Sequence, residues 1–91
     1  MRIFLSPCFS DKKIDYEFNG EKIIVTFEGQ TEAFDFSDMP DGVLESIESD
    51  LPVNPIIEAK REKSELSVVL LNFINEDATE EEKFPEWQVI E

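Results

Sequence analysis

The sequence predicts a mainly β protein with one short helix, built as a small antiparallel sheet curled into a partial barrel or sandwich. Short segments in which apolar and polar residues alternate recur along the chain, as in half-buried strands. Turn signals such as Asn19-Gly20 separate these segments. Residues 66–74 are apolar on both faces, which is typical of a central strand. With 91 residues, the chain forms one globular domain, 1–91, with a thin core.

The first strands are short. Residues 3–5 form an apolar run, and we expect this strand to end at Pro7, because proline is tolerated at strand edges and ends. Residues 14–18 alternate strictly between apolar and polar, and residues 23–27 are rich in β-branched side chains. Asn19-Gly20 between them predicts a hairpin.

A corner follows the hairpin. Residues 28–30 predict a second turn, and residues 33–36 alternate again, with two phenylalanines on one side. Residues 37–38 are turn formers whose side chains can accept from nearby backbone amides. Asp41 is placed to cap a helix over 42–50, where apolar residues recur at helical spacing.

The second half of the chain returns to strands. Residues 56–60 predict a strand, residues 61–64 a turn, and residues 66–74 the central strand. Thr79 and Glu82 fit a capping box at the start of a single helical turn. A short apolar run over 87–90 ends the pattern.

Composition argues against several function classes. The chain has 22 acidic and 8 basic residues, a net charge of −14, so it should repel nucleic acid and anionic membranes and favour a basic protein partner. It has no histidine, which removes the commonest general base and metal ligand. No apolar run approaches the ~20 residues of a membrane span, and the N-terminal run is too short for a signal peptide. We expect a cytoplasmic protein without a cofactor.

Cys8 is the single cysteine, so no internal disulfide can form, which fits a reducing compartment. A catalytic thiolate needs a base or a nearby cation, and Lys12 and Lys13 are the nearest cations in sequence. The better interpretation is a half-buried cysteine that acts as a small apolar residue.

Asp35, Asp38 and Asp41 are spaced three residues apart at the corner. Calcium requires several converging oxygen ligands, and an EF-hand supplies them from every second residue. The spacing here instead favours a strand surface, a turn and a helix cap, and a weak divalent site is the alternative. A glycosidase pair of carboxylates is not indicated, because in so acidic a chain some pair always lies at a suitable distance.

Five acids fall within seven residues near the C-terminus, and the single tryptophan follows them. Together these residues form a candidate surface for a protein partner: Glu76, Asp77, Glu80, Glu81, Glu82 and Trp87. The acids could instead be a solvated loop. The tryptophan could instead pin the end of the chain to the core, although tryptophan is also enriched at interface hot spots.

Four landmarks occur in a recognisable order. They are Ile3-Phe4-Leu5-Ser6-Pro7, then Phe34-Asp35-Phe36-Ser37 with Asp41-Gly42, then Leu66-Ser67-Val68-Val69-Leu70-Leu71, and finally Phe84-Pro85-Glu86. In these the chain resembles a group of small, acidic, uncharacterised proteins of tailed phages and prophages, often encoded near tail and tail-fibre genes. The resemblance implies a phage-derived accessory protein linked to tail or virion assembly, and it assigns no site residue.

Three functions follow from these observations. The first is a non-enzymatic phage accessory protein that acts through its surface in the cytoplasm of a bacterial host. The second is an acidic DNA mimic that occupies the groove of a DNA-binding host protein, since the charge has the right sign. The third, an enzyme that uses acids and a divalent ion, is the least favoured. Exposed strand edges would also allow a homodimer.

Overall fold

The structure is a computed structural model that describes residues 1–44, 51 and 53–90. Over these residues the elements are β1 (Arg2–Phe9), β2 (Ile14–Asn19), β3 (Lys22–Phe27), β4 (Gln30–Asp35), β5 (Gly42–Leu44), β6 (Ile56–Glu62), β7 (Glu65–Ile74), α1 (Glu80–Lys83) and β8 (Gln88–Val89). The strands form one sheet in the order β5-β6-β7-β1-β8 and a second in the order β2-β3-β4. The predicted class, mainly β with one short helix, is confirmed.

Two tight hairpins build the three-stranded sheet. The first loop is Gly20-Glu21, closed by the pair of Asn19 with Lys22, so the turn lies one residue later than the Asn-Gly signal suggests. Gly20 has a φ of 63°, which glycine adopts without strain. The second loop, Glu28-Gly29, has positive φ at both positions, as a type I′ turn requires.

Strand β7 lies at the centre of the five-stranded sheet, as its two apolar faces predict. It pairs antiparallel with β6 and parallel with β1, so Leu5 lies opposite Leu70. The parallel pairing differs from the expected all-antiparallel arrangement. It forms because the chain leaves β1, builds the whole three-stranded sheet, and returns to the first sheet before β7. A long crossover of this kind is what parallel strands need.

The prediction that the first strand ends at Pro7 is wrong, because β1 continues through Pro7 to Phe9. The amide of Ser10 donates to the carbonyl of Ile74 at 3.0 Å. Since alternate residues face the neighbouring strand, this bond directs the Pro7 nitrogen away from β7. On that side of β1 the described strands include only β8, which pairs with Arg2 and Ile3, so the missing N–H of Pro7 costs no ladder bond between described strands.

The prediction of a half-buried Cys8 is also wrong, since this side chain is exposed. Pro7, Cys8 and Phe9 form the end of β1, and all three are exposed. The part of the strand that enters the core is its beginning, where Ile3 is 2% exposed.

The prediction of a helix over 42–50 is wrong for its first three residues. Gly42–Leu44 is strand β5, which pairs antiparallel with β6, and Asp41 therefore precedes a strand. Gly42 has a φ of 144°, outside the helical region, and its neighbours pair with Lys60 and Ala59. Residues 45–50 lie outside the described residues.

The two sheets share one apolar core. Ile23, Val25 and Phe27 are fully buried on one face of β3, as their alternation predicts. The Phe27 ring lies 5.7 Å from the Phe73 ring of the other sheet. Among the residues that the structure describes, the clustered buried residues are Ile3, Ile14, Ile23, Val25, Phe27, Phe34, Phe36, Leu51, Ile56, Ala59, Leu66, Val68 and Leu70. Sheet packs on sheet, as in a sandwich.

Among the described residues, Tyr16 and Arg61 make polar contacts that join the sheets. The Tyr16 hydroxyl on β2 donates to the Leu71 carbonyl on β7, and burial raises the pKa of this phenol well above its ordinary range. Arg61 on β6 makes the second contact, with Glu21 in the first hairpin loop. Within the part of the chain that the structure covers, no helix is long and apolar enough to cross a membrane.

Candidate protein-binding surface

Helix α1 is a single turn that its cap stabilises. The Glu82 amide donates to the Thr79 hydroxyl at 3.2 Å, and the Thr79 amide donates to the Glu82 carboxylate at 3.2 Å. These two bonds are the predicted capping box, which is thus confirmed. No residue of α1 is buried, so the helix holds its acids in solvent on a defined backbone.

After α1 the chain returns to the edge of the five-stranded sheet. Gln88 and Val89 pair with Ile3 and Arg2, and the Ile90 amide donates to the Met1 carbonyl at 2.8 Å. This short ladder fixes the C-terminal residues beside the start of β1.

Trp87 is both packed and accessible. Its ring lies 5.5 Å from the Phe4 ring, and the Arg2 guanidinium lies 5.2 Å from its centroid. Aromatic and cation–π contacts of this kind fix the ring against β1. The residue nevertheless remains 45% exposed. These contacts agree with a tryptophan that pins the end of the chain, and its role as an anchor for a partner stays a prediction.

Side chains of α1 and of the segment that follows it line one shallow depression of about 650 Å³. We call it the acid-aromatic surface, and its residues are Glu80, Glu81, Phe84, Glu86, Trp87 and Gln88. Three carboxylates and two aromatic rings contribute to it, and none of the described lining residues is basic. The depression can therefore offer charge to a cation and ring faces to an apolar group.

The structure brings together only part of the predicted partner surface. Glu80, Glu81 and Trp87 line the depression, whereas Glu82 accepts the Thr79 amide in the capping box. Glu76 and Asp77 are exposed in the preceding turn, and the Asp77 amide donates to the Asn75 side chain at 2.9 Å.

Sequence reasoning missed Phe84 and Glu86 as members of this surface. Phe84 follows α1 directly and is 77% exposed. A large aromatic residue immediately after an acidic helical turn was the available signal, but its exposure depends on where the chain turns next.

The Asp35-Asp38-Asp41 corner is held by backbone bonds. The Ser37 amide donates to the Asp35 carboxylate at 2.9 Å, and the Met39 amide donates to the Phe36 carbonyl at 3.1 Å. The bond from the Ser37 amide lowers the pKa of Asp35 below its ordinary range. Among the described residues, no group of three acidic or cysteine side chains is placed to hold a metal ion.

Arg61 is hydrogen-bonded to the backbone of this corner. Its Nη2 atom donates to the Phe36 carbonyl at 2.7 Å and to the Glu21 carboxylate at 3.0 Å. Its Nη1 atom donates to the Ser64 carbonyl at 3.2 Å, and Glu21 raises the pKa of the guanidinium. The side chain is only 11% exposed. The sequence predicts a turn over 61–64, but Arg61 lies in β6 and joins that strand to the hairpin loop and the corner.

Comparison of the chain with known protein families, with curated proteins and with solved structures found no match. The resemblance to small phage proteins therefore stays a prediction.

Proposed function

We propose that this protein is a non-catalytic accessory protein that binds a basic segment of a partner protein at the acid-aromatic surface. The observation that carries the proposal is the joining of three glutamates and two exposed aromatic rings in one depression. The whole chain carries a charge of −14, which would draw a basic partner towards it.

The two kinds of side chain have different roles in this proposal. Glu80, Glu81 and Glu86 attract and orient lysine or arginine side chains, which raises the association rate more than the final affinity. Phe84 and Trp87 supply the apolar contact area, because aromatic residues dominate the binding energy of small interfaces.

The resemblance to phage proteins suggests where this binding occurs. We place the protein in the cytoplasm of a bacterial host, where it would act as a phage- or prophage-derived factor in tail or virion assembly. Assembly factors of this kind work by holding other proteins, which is consistent with a small domain that carries its candidate site on an open surface.

A DNA-mimic decoy is the alternative, and the distribution of charge favours it less. A decoy needs carboxylates in a continuous row that imitates phosphates. On the outer face of the five-stranded sheet, Arg2, Lys60 and Lys63 alternate with glutamates around a depression of about 500 Å³. The Nε atom of Arg2 lies 3.8 Å from a carboxylate oxygen of Glu65, and the Nζ atom of Lys60 lies 3.1 Å from a carboxylate oxygen of Glu62. This face is nearly neutral and would interrupt such a row.

Affinity capture from phage-infected or lysogenic cells tests the proposal. We compare the wild type with a Phe84→Ser/Glu81→Lys variant, which removes one ring and reverses one charge on the acid-aromatic surface. The matched control is Phe9→Ser/Glu17→Lys, which makes the same chemical changes at exposed positions outside that surface.

We expect a virion or tail-assembly protein to be captured by the wild type and the control, and to be lost with the Phe84→Ser/Glu81→Lys variant. Capture of no such protein, or equal capture by both variants, would contradict the proposal. A captured DNA-processing protein whose binding falls steeply with salt would instead support the decoy.

A further inference from the structure

A second depression lies at the corner between β4 and β5. We call it the corner groove, and its volume is about 650 Å³. Its lining consists of the end of β4, the corner itself and β5: Ala33, Phe34, Asp35, Phe36, Asp38, Met39, Pro40, Asp41, Gly42, Val43 and Leu44. None of these residues belongs to the acid-aromatic surface.

The groove runs between two strand edges. Strand β4 is an outer strand of the three-stranded sheet, and β5 is an outer strand of the five-stranded sheet. The Phe36 amide donates to the Glu21 carbonyl at 3.1 Å, which continues the ladder between β3 and β4. Because the bonding positions of an antiparallel ladder alternate, the backbone groups of Ala33 and Asp35 face away from β3. Such an edge can pair with an additional extended chain.

The inside of the groove is apolar and its rim is acidic. Val43 is 48% exposed and Leu44 is 43% exposed, and Met39 is half-buried against the core. Asp35, Asp38 and Asp41 are all exposed, and none of the described residues of the lining is basic.

We propose that the corner groove binds an extended, basic segment of a partner protein, in which lysine or arginine flanks a bulky apolar residue. The edge of β4 that no described strand covers would accept the backbone of the segment, as in β-strand addition. The apolar floor would take the bulky side chain, and the carboxylates at the rim would take the flanking cations. Arg61 already holds the corner through the Phe36 carbonyl, so the groove is formed before the ligand arrives.

A second copy of the chain is disfavoured as the occupant, because two chains of charge −14 repel each other. The rim selects a partner of opposite charge.

Amide chemical shifts in a titration with the peptide acetyl-Lys-Leu-Lys-Leu-Lys-amide test the inference at residue level. We expect the amides of Ala33, Asp35 and Val43 to shift, and the peptide acetyl-Lys-Ser-Lys-Ser-Lys-amide to bind about tenfold more weakly. Leu44→Ser should lower the affinity for the leucine-containing peptide by a similar factor. Ile57→Ser is the matched control, since Ile57 is 41% exposed and lies outside the groove.

A second variant keeps the test valid if Leu44→Ser fails to fold. Asp38→Asn/Asp41→Asn removes two charges without removing apolar contact, and should also lower the affinity for the leucine-containing peptide. Glu76→Gln/Asp77→Asn is the matched control and should leave that affinity unchanged. Shifts confined to the amides of Phe84 to Val89 would overturn the inference. So would equal affinity of the two peptides, or a dimer in sedimentation that Leu44→Ser dissociates, which would mean that a second copy covers the groove.

Discussion

The corner and the acid-aromatic surface are both acidic depressions of similar size, but the fold holds them differently. The corner is tied to the core: Phe36 is 5% exposed, and Arg61 joins its carbonyl to the other sheet. The acid-aromatic surface rests on α1, which buries no residue, and on the two residues of β8. Its contacts with the sheet include the packing of the Trp87 ring on Phe4 and the short ladder of β8 with Arg2 and Ile3.

This difference suggests a division of labour. Regions with few buried contacts open at low free energy, whereas regions bonded to the core open only with the whole domain. The corner should therefore act as a preformed groove, and the acid-aromatic surface should adjust to its partner. Variants that separate the two regions test this division.

The largest effect is expected from Phe27→Ala, which should destabilise the domain that carries both surfaces. Phe27 is fully buried and packs against Phe73 across the two sheets. Truncation of a buried phenylalanine lowers the free energy of unfolding by about 3–5 kcal/mol, a large part of the 5–15 kcal/mol typical of a domain. Chemical denaturation measures the change. Phe9→Ala, at a residue that is 72% exposed, is the control and should change stability by under about 0.5 kcal/mol.

Arg61→Met should loosen the corner with a smaller effect on the whole domain. The change removes the donor to the Phe36 carbonyl and leaves the Glu21 carboxylate without its cation. Hydrogen exchange should accelerate at the Met39 amide and stay unchanged at the Glu82 amide of α1. Lys60→Met is the matched control, since Lys60 lies beside Arg61 on β6 and is exposed. Equal acceleration at both amides would show that the two regions are not held separately.

Thr79→Ala should act in the opposite region. Loss of the cap should destabilise α1 by about 1 kcal/mol and accelerate exchange at the Glu82 amide. Because α1 buries no residue, the denaturation midpoint of the domain should hardly move. Thr79→Ser should restore slow exchange, since serine caps equally well. A large fall in the midpoint would mean that α1 is part of the cooperative core.

The smallest effect is expected when the pH is lowered. The pKa of Asp35 is lowered by the Ser37 amide, so the stabilisation from this bond is present at neutral pH and is lost as pH falls through the folded-state pKa. The Ser37 amide shift should follow this titration below the ordinary range of aspartate. Asp35→Asn keeps an acceptor for the Ser37 amide, so it should abolish the titration and leave stability nearly unchanged. A Ser37 shift that titrates in the ordinary range would contradict the assignment.

The parts of the fold that could be predicted are those specified by neighbouring residues. The hairpins at Gly20 and Gly29 and the cap at Thr79 depend on residues within a few positions of one another. The central position of β7 could also be predicted, because its two apolar faces require cover on both sides.

The remaining features depend on residues far apart in sequence. Nothing local to β1 specifies that it pairs with β7, or that the pairing is parallel. Val43 and Leu44 fit helical spacing equally well, and β5 is a strand because β6 lies beside it. The role of Arg61 likewise depends on Glu21 and Phe36, which only the packed sheets bring to it.

Fluorescence of Trp87 gives the most direct test of the central claim, that the acid-aromatic surface docks a basic partner. Trp87 is the single tryptophan, so the emission comes from one residue, which is part of this surface. Titration with the captured partner should shift the emission to shorter wavelength as the ring leaves water, in the wild type and in Leu44→Ser alike. The shift should be lost in Phe84→Ser/Glu81→Lys. A partner that binds while the emission of Trp87 stays unchanged would contradict the claim.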